Sequence, residues 1–127
     1  MSIDPVQEWL DLAQQDEASA SFLLQMRPLP LEVICFHCQQ AAEKLLKAVL
    51  AKHGLDIPKT HDLPFLLDLA AVPVPTLAIL DQLALDLNDF SVVVRYPSHI
   101  PLEEADANDA LEAIEALKKA ILGSLEA

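Results

Sequence analysis

The sequence has little glycine, few aromatic residues and no strand-like pattern. Glycine occurs only twice in 127 residues, and no segment alternates apolar and polar side chains as a half-buried strand does. Aromatic residues make up only 5% of the chain, although 53% of it is hydrophobic, so leucine, alanine and valine must build the core. These shortages predict an all-α fold, and the length predicts a single domain over residues 1–127.

Long apolar runs and a leader pattern are also absent. No run approaches the roughly 20 apolar residues of a membrane-spanning helix, and the first residues do not follow a secretory signal pattern. We therefore expect a soluble cytoplasmic protein. Two cysteines, Cys35 and Cys38, are too few for a disulfide framework, and a second pair that would complete a zinc site is missing. They are interpreted as small buried hydrophobes, and neither a metal nor a cofactor is predicted.

Cations are scarce, and their distribution is uneven. The chain has 8 lysines and arginines against 20 acids, a net charge of −12, which disfavours a general nucleic-acid binder. Half of the cations lie in one short span: Lys44, Lys47, Lys52 and Lys59. This concentration indicates a local site for an anionic ligand, and a solvated helix face is the alternative.

Proline divides the chain into helices, because it lacks the backbone donor that a helix interior needs. The predicted helices run from Pro5 to about Met26, Leu31 to His53, Leu63 to about Ala71, Thr76 to the valines at 92–94, and about Leu102 to Leu125. Asp4, Thr60 together with Asp62, and Thr76 are predicted caps, and Gly54 is the predicted end of the second helix. The pattern predicts an antiparallel four-helix bundle with one additional short helix. The acidic run that opens the last helix is interpreted as a solvated face.

The second helix has two distinct sides. Its apolar arc consists of Ile34, Cys35, Cys38, Ala42, Leu45, Leu46 and Val49. On the opposite side lies a narrow row of polar residues, here called the polar stripe: His37, Gln40, Lys44 and Lys47. A core helix needs only the apolar arc, so the polar stripe is the predicted ligand-binding face.

Several motifs in and after this helix resemble the HEPN domain family. They are residues 36–44 (FHCQQAAEK), Lys47, residues 58–63 (PKTHDL) and residues 95–97 (RYP). The resemblance implies a helical bundle that forms a homodimer, with a cleft between protomers that gathers the RYP segment and the polar stripe. It also places Tyr96 among the ligand-binding residues. The RYP segment looks like that of the branch often encoded beside a minimal nucleotidyltransferase.

Arg95 and His99 are the candidate catalytic residues. An arginine can hold a scissile phosphate while a histidine transfers protons, which suits cleavage of an RNA backbone. In the family, active ribonucleases have four to six residues between this arginine and histidine, whereas three separate them here. Pro101 stands where some toxin members have a tyrosine that is adenylylated. These departures favour binding over catalysis.

Three functions follow from these observations. The favoured one is a nucleotide- or nucleic-acid-binding partner of a minimal nucleotidyltransferase, in a pair of toxin–antitoxin type. The second is a metal-independent ribonuclease toxin that uses Arg95 and His99, and the third is a non-catalytic dimeric interaction module. Whether the protein is an enzyme is left open by the sequence.

Overall fold

All regular structure in the described part of the chain is helical. The computed structural model describes residues 3–90 and 101–126. Its elements are α1 (Pro5–Leu23), α2 (Leu31–Lys52), α3 (Leu63–Ala71), a 3₁₀ helix (Pro75–Leu80), α4 (Asp81–Asn88) and α5 (Glu104–Leu125). Helix α2 lies at the centre and packs against α1, α3, α4 and α5. The prediction of an all-α helical bundle is confirmed.

Helix α2 is buried around most of its circumference because four helices surround it. Every member of the predicted apolar arc is buried, and every residue from Leu45 to Leu50 is buried as well. Gly54 ends the helix as predicted, with a φ of 66°. The amide of Leu55 donates to the Leu50 carbonyl, and that of Gly54 to the Ala51 carbonyl. This is the Schellman arrangement, which requires a left-handed residue after the cap.

Carboxylates begin three of the helices. The Asp4 carboxylate accepts hydrogen bonds from the amides that open α1, and the Asp62 carboxylate accepts one from the Phe65 amide of α3. Both caps were predicted, whereas the Thr60 hydroxyl accepts from the Asp62 amide and does not cap α3. Helix α5 begins with a capping box between Glu103 and Asp106, two residues later than predicted.

The predicted fourth helix is divided in two. A 3₁₀ helix starts at Pro75 and passes into α4 at Asp81, so Thr76 is not a cap and that detail was wrong. The residue before the 3₁₀ helix is Val74, which has no side chain able to cap.

The end of α1 also changes to 3₁₀-type hydrogen bonding, because the amides of Leu24 to Met26 bond to carbonyls three residues back.

Both cysteines lie in the core, as predicted. Their side chains are fully buried against the neighbouring helices, and neither is in a disulfide. Burial raises the pKa of the Cys35 thiol to about 11 and that of the Cys38 thiol to about 12. Both thiols therefore stay protonated at neutral pH. Most of the acidic run of α5, by contrast, faces solvent, as predicted.

Candidate binding site

A buried carboxylate from α1 lies against the first half of the polar stripe. Asp16 is 12% exposed, and its two oxygens contact two different side chains of α2. Oδ1 lies 2.9 Å from His37 Nδ1, and Oδ2 accepts from Lys44 Nζ. Asp16 therefore ties α1 to α2 and neutralises the charge of Lys44.

A second buried carboxylate also bridges a lysine and a histidine. Glu43, within α2, accepts from Lys47 Nζ at 3.1 Å, and its other oxygen lies 2.6 Å from His61 Nδ1. His61 stands just before α3, and its backbone carbonyl accepts from Gln39 Nε2 at 2.9 Å. The Lys47 ammonium also lies 5.5 Å from the centre of the Trp9 ring of α1, which is close enough for a cation–π contact.

The polar stripe is thus not an open cationic face. Lys47 is only 6% exposed, and Lys44 is mostly buried beside Asp16. A buried ammonium is tolerated only when a carboxylate accompanies it, and each lysine here has one. Asp16 and Trp9 of α1 contact the two lysines, so α2 is packed on this side as well. The two charges of the stripe are already compensated within the protein. The ligand-binding role predicted for Lys44 and Lys47 stays a prediction.

The remaining predicted site residues divide into two groups. His37 and Gln40 are partly exposed on α2, and Gln40 Nε2 donates to Gln39 Oε1 at 2.7 Å. Arg95, Tyr96 and His99 lie outside the described residues. The roles predicted for all these side chains therefore remain predictions.

Sequence reasoning missed Asp16 and gave Glu43 no role. A signal existed for each. Glu43 precedes Lys47 by four residues, the spacing at which a helical ion pair forms. Asp16 falls between Ala13 and Ala20 on the buried side of α1, and a lone carboxylate in an apolar helix face requires a cationic partner.

A groove between α4 and α5 has the wrong charge for an anion. Its volume is about 700 Å³, and it is bordered by five carboxylates: Asp86, Asp89, Asp106, Asp109 and Glu112.

Within residues 3–90 and 101–126, no group of three or more potential ligands is placed to hold a metal ion. No helix found in those ranges is long and apolar enough to cross a membrane.

A third lysine is also paired internally. Lys118 of α5 donates to Glu17 of α1 at 3.1 Å, which joins the first and last helices. In the part of the chain that is described, Lys52, Lys59 and Lys119 have no carboxylate within ion-pair distance. The paired lysines thus lie between helices, and the unpaired ones lie on the exposed surface.

Comparison with known proteins agrees with this architecture. Among solved structures, the chain is similar to ST0689, an archaeal HEPN homologue, with 23% identity and a TM-score of 0.72 over 94% of this chain and 97% of that one. It is similar to TT1696 from Thermus thermophilus, with 28% identity and a TM-score of 0.69 over 98% of each chain. No curated protein matched. The model of the HEPN domain matches residues 6–124, nearly the entire sequence, and the chain therefore belongs to the HEPN domain family.

Proposed function

We propose that this HEPN protein binds a nucleotide or nucleic acid and serves as the partner of a minimal nucleotidyltransferase, in a pair of toxin–antitoxin type. The protein would act in the cytoplasm as a homodimer, without chemistry of its own or with only weak activity. Family membership supports the general class, and the RYP segment at residues 95–97 supports the nucleotidyltransferase branch.

The observation that favours a single nucleotide over an extended RNA is the internal compensation of the polar stripe. Lys44 and Lys47 each have a buried carboxylate partner, so neither offers an uncompensated charge to a long polyanion. A surface that grips an RNA backbone normally relies on several free cations. With the stripe compensated and the net charge at −12, contact with one phosphate group, by Arg95, fits the protein better than an extended RNA track.

The ribonuclease alternative depends on Arg95 and His99 acting together on one phosphate. The short separation of these two residues in the sequence speaks against it. The third alternative, an interaction module, is favoured by a different observation. Phe22, Val72 and Ile79 are each more than 70% exposed, and large apolar side chains on the surface often mark contacts with another protein.

The experiment combines nucleotide titration with an RNA cleavage assay on the same purified proteins. We expect Arg95→Ala to weaken nucleotide binding on the order of tenfold, as loss of a charge-assisted contact does. His99→Ala should leave binding nearly unchanged. Lys52→Ala is the matched control, because Lys52 is an exposed cation without a carboxylate partner among the described residues.

Lys44→Ala is a poor probe of binding, although the sequence suggests it. It would leave Asp16 buried without its cation and so change stability as well as any contact with ligand. Robust cleavage that disappears in His99→Ala would establish the ribonuclease instead. A protein that neither binds nucleotides nor cleaves RNA would leave the interaction module as the function.

A further inference from the structure

His37 has one ring nitrogen committed and the other available. Nδ1 lies 2.9 Å from Asp16 Oδ1, and an ionised carboxylate can only accept hydrogen bonds. Nδ1 therefore carries the hydrogen and donates it. In the neutral ring, Nε2 is then left as an acceptor, and the side chain is 26% exposed, so a ligand can reach it.

Gln40 presents a second acceptor one turn further along α2. Its amide nitrogen donates to Gln39 Oε1 at 2.7 Å, and the Gln39 amide in turn donates to the His61 carbonyl. Because the amide nitrogen of each glutamine donates in this chain, the positions of nitrogen and oxygen in both side-chain amides are fixed. The carbonyl oxygen of Gln40 is left to accept a hydrogen bond from outside.

Lys44, the third partly exposed member of the stripe, adds no free positive charge to this face because Asp16 compensates it. The exposed part of the polar stripe therefore offers two acceptors beside an ammonium that keeps N–H donors but has no uncompensated charge. A phosphate group has only acceptors and binds most strongly to uncompensated positive charge, which this face lacks. Hydroxyl and amino groups, which donate, match His37 Nε2 and the Gln40 carbonyl.

We infer that Asp16 is a positioning residue that holds His37 as an acceptor, and that this face receives the sugar or base of a nucleoside through its hydroxyl or amino groups. The phosphate is then contacted elsewhere. This inference rests on the proposed function, because it divides the nucleotide between two regions of the same site. It assigns the sugar and base to the end of α2 that carries His37 and Gln40.

The first test measures the tautomer of His37 by nitrogen-15 NMR, at about pH 8, where an ordinary imidazole is neutral. The free protein should show a protonated Nδ1 and an unprotonated Nε2. In Asp16→Leu/Lys44→Met the population should shift toward a protonated Nε2. This double variant removes the carboxylate and its cation together, so no buried charge remains unpaired. Should the double variant fail to fold, the tautomer of the unmodified protein decides the assignment by itself.

Asp11→Asn is the matched control, because Asp11 is an exposed carboxylate on the same helix as Asp16. It should leave the His37 tautomer unchanged. A predominantly protonated Nε2 in the unmodified free protein would overturn the assignment of Asp16 as a positioning residue, whatever the ligand experiments show.

The second test titrates adenosine, adenosine 5′-monophosphate and inorganic phosphate into the labelled protein. Adenosine and its monophosphate should move the His37 Nε2 resonance to a similar extent, and phosphate alone should not. The affinity for adenosine should fall on the order of tenfold in Asp16→Leu/Lys44→Met.

The outcomes separate the inference from the proposed function. A shift caused by phosphate alone would overturn the inference and leave nucleotide binding intact. Binding of the monophosphate without any change at His37 would do the same. A flat titration with all three probes would overturn the ligand assigned here, and the proposed function would be removed as well if other nucleotides and RNA also fail to bind. The tautomer measurement still decides the role of Asp16.

Discussion

At the scale of single residues, the described structure is governed by how it accommodates buried charge. Two carboxylates, Asp16 and Glu43, each bridge an imidazole and an ammonium, and each therefore uses both of its oxygens. Within residues 3–90 and 101–126, no buried side-chain polar atom lacks a hydrogen-bond partner. Removing one member of such an ion pair should therefore cost more stability than removing both, because a lone buried charge is the costly state.

Lys47 gives the clearest test of this view. Lys47→Met should lower the free energy of unfolding by about 3 kcal/mol, since Glu43 is left buried with only His61 as a partner. Adding Glu43→Gln should restore about half of that loss. Lys52→Met, an exposed change on the same helix, should stay within about 0.5 kcal/mol of the original protein. Urea unfolding measures all three, and a double variant less stable than Lys47→Met would contradict the charge-cluster account.

The buried thiols predict a loss of stability in alkali. The pKa of Cys35 is raised from 9.0 to about 11 by burial, and that of Cys38 from 9.0 to about 12. Above pH 9 the unfolded thiols ionise while the folded ones stay protonated. The free energy of unfolding should therefore fall as pH rises from 9 toward 11, by up to about 1.4 kcal/mol per pH unit for each thiol.

The double variant Cys35→Ala/Cys38→Ala provides the comparison for this effect. It should be less stable at neutral pH, because burial of two sulfur atoms is lost, but its stability should fall less steeply above pH 9. Chemical unfolding at a series of pH values measures both properties. Equal alkaline slopes for the two proteins would show that the thiols are not responsible.

At the scale of the helices, single residues that can be recognised in the sequence begin or end several of the helices. Asp4 and Asp62 cap their helices, and Gly54 closes α2 in a left-handed conformation. These features were predicted because each depends on one residue and its immediate neighbours. The start of the 3₁₀ helix at Pro75 was not predicted. This helix packs against α3 and α4, and such contacts cannot be recognised from its own residues.

The two glycines should respond to alanine with opposite signs. Gly54→Ala should destabilise by about 1 kcal/mol, because its φ of 66° is strained for a residue with a Cβ, although no atom lies within 4 Å of the added carbon. Gly123→Ala should stabilise by about 0.5–1 kcal/mol, since it lies in α5 with open space around it. Thermal unfolding distinguishes the two, and a stabilising Gly54→Ala would disprove the assignment of this cap.

At the scale of the whole molecule, the fold could be predicted well from the sequence, but the candidate site could not. Helical periodicity and proline positions define which faces of the helices are apolar, and those faces form the core. The pairing of Asp16 with His37 and Lys44 joins residues that are 21 and 28 positions apart. Periodicity within one helix contains no information on which partner covers its polar side, so the stripe was interpreted as a ligand-binding face.

Exposed apolar side chains predict self-association. Phe22, Val72 and Ile79 remain outside the core of the single chain, and the family resemblance implies a two-fold dimer. We expect sedimentation at micromolar concentration to give the mass of a homodimer. A monomer at that concentration would contradict this prediction and any site that needs two protomers.

The central claim is that the lysines of the polar stripe are engaged inside the protein, and that Arg95 supplies the contact with phosphate. The most direct measurement is the salt dependence of binding to a short single-stranded RNA. One phosphate contact per protomer should give a slope of about −0.7 in a plot of log affinity against log salt concentration. Participation of Lys44 and Lys47 as well as Arg95 would give a slope of about −2. We expect the shallow slope for the original protein and loss of binding in Arg95→Ala. The steep slope would contradict the central claim.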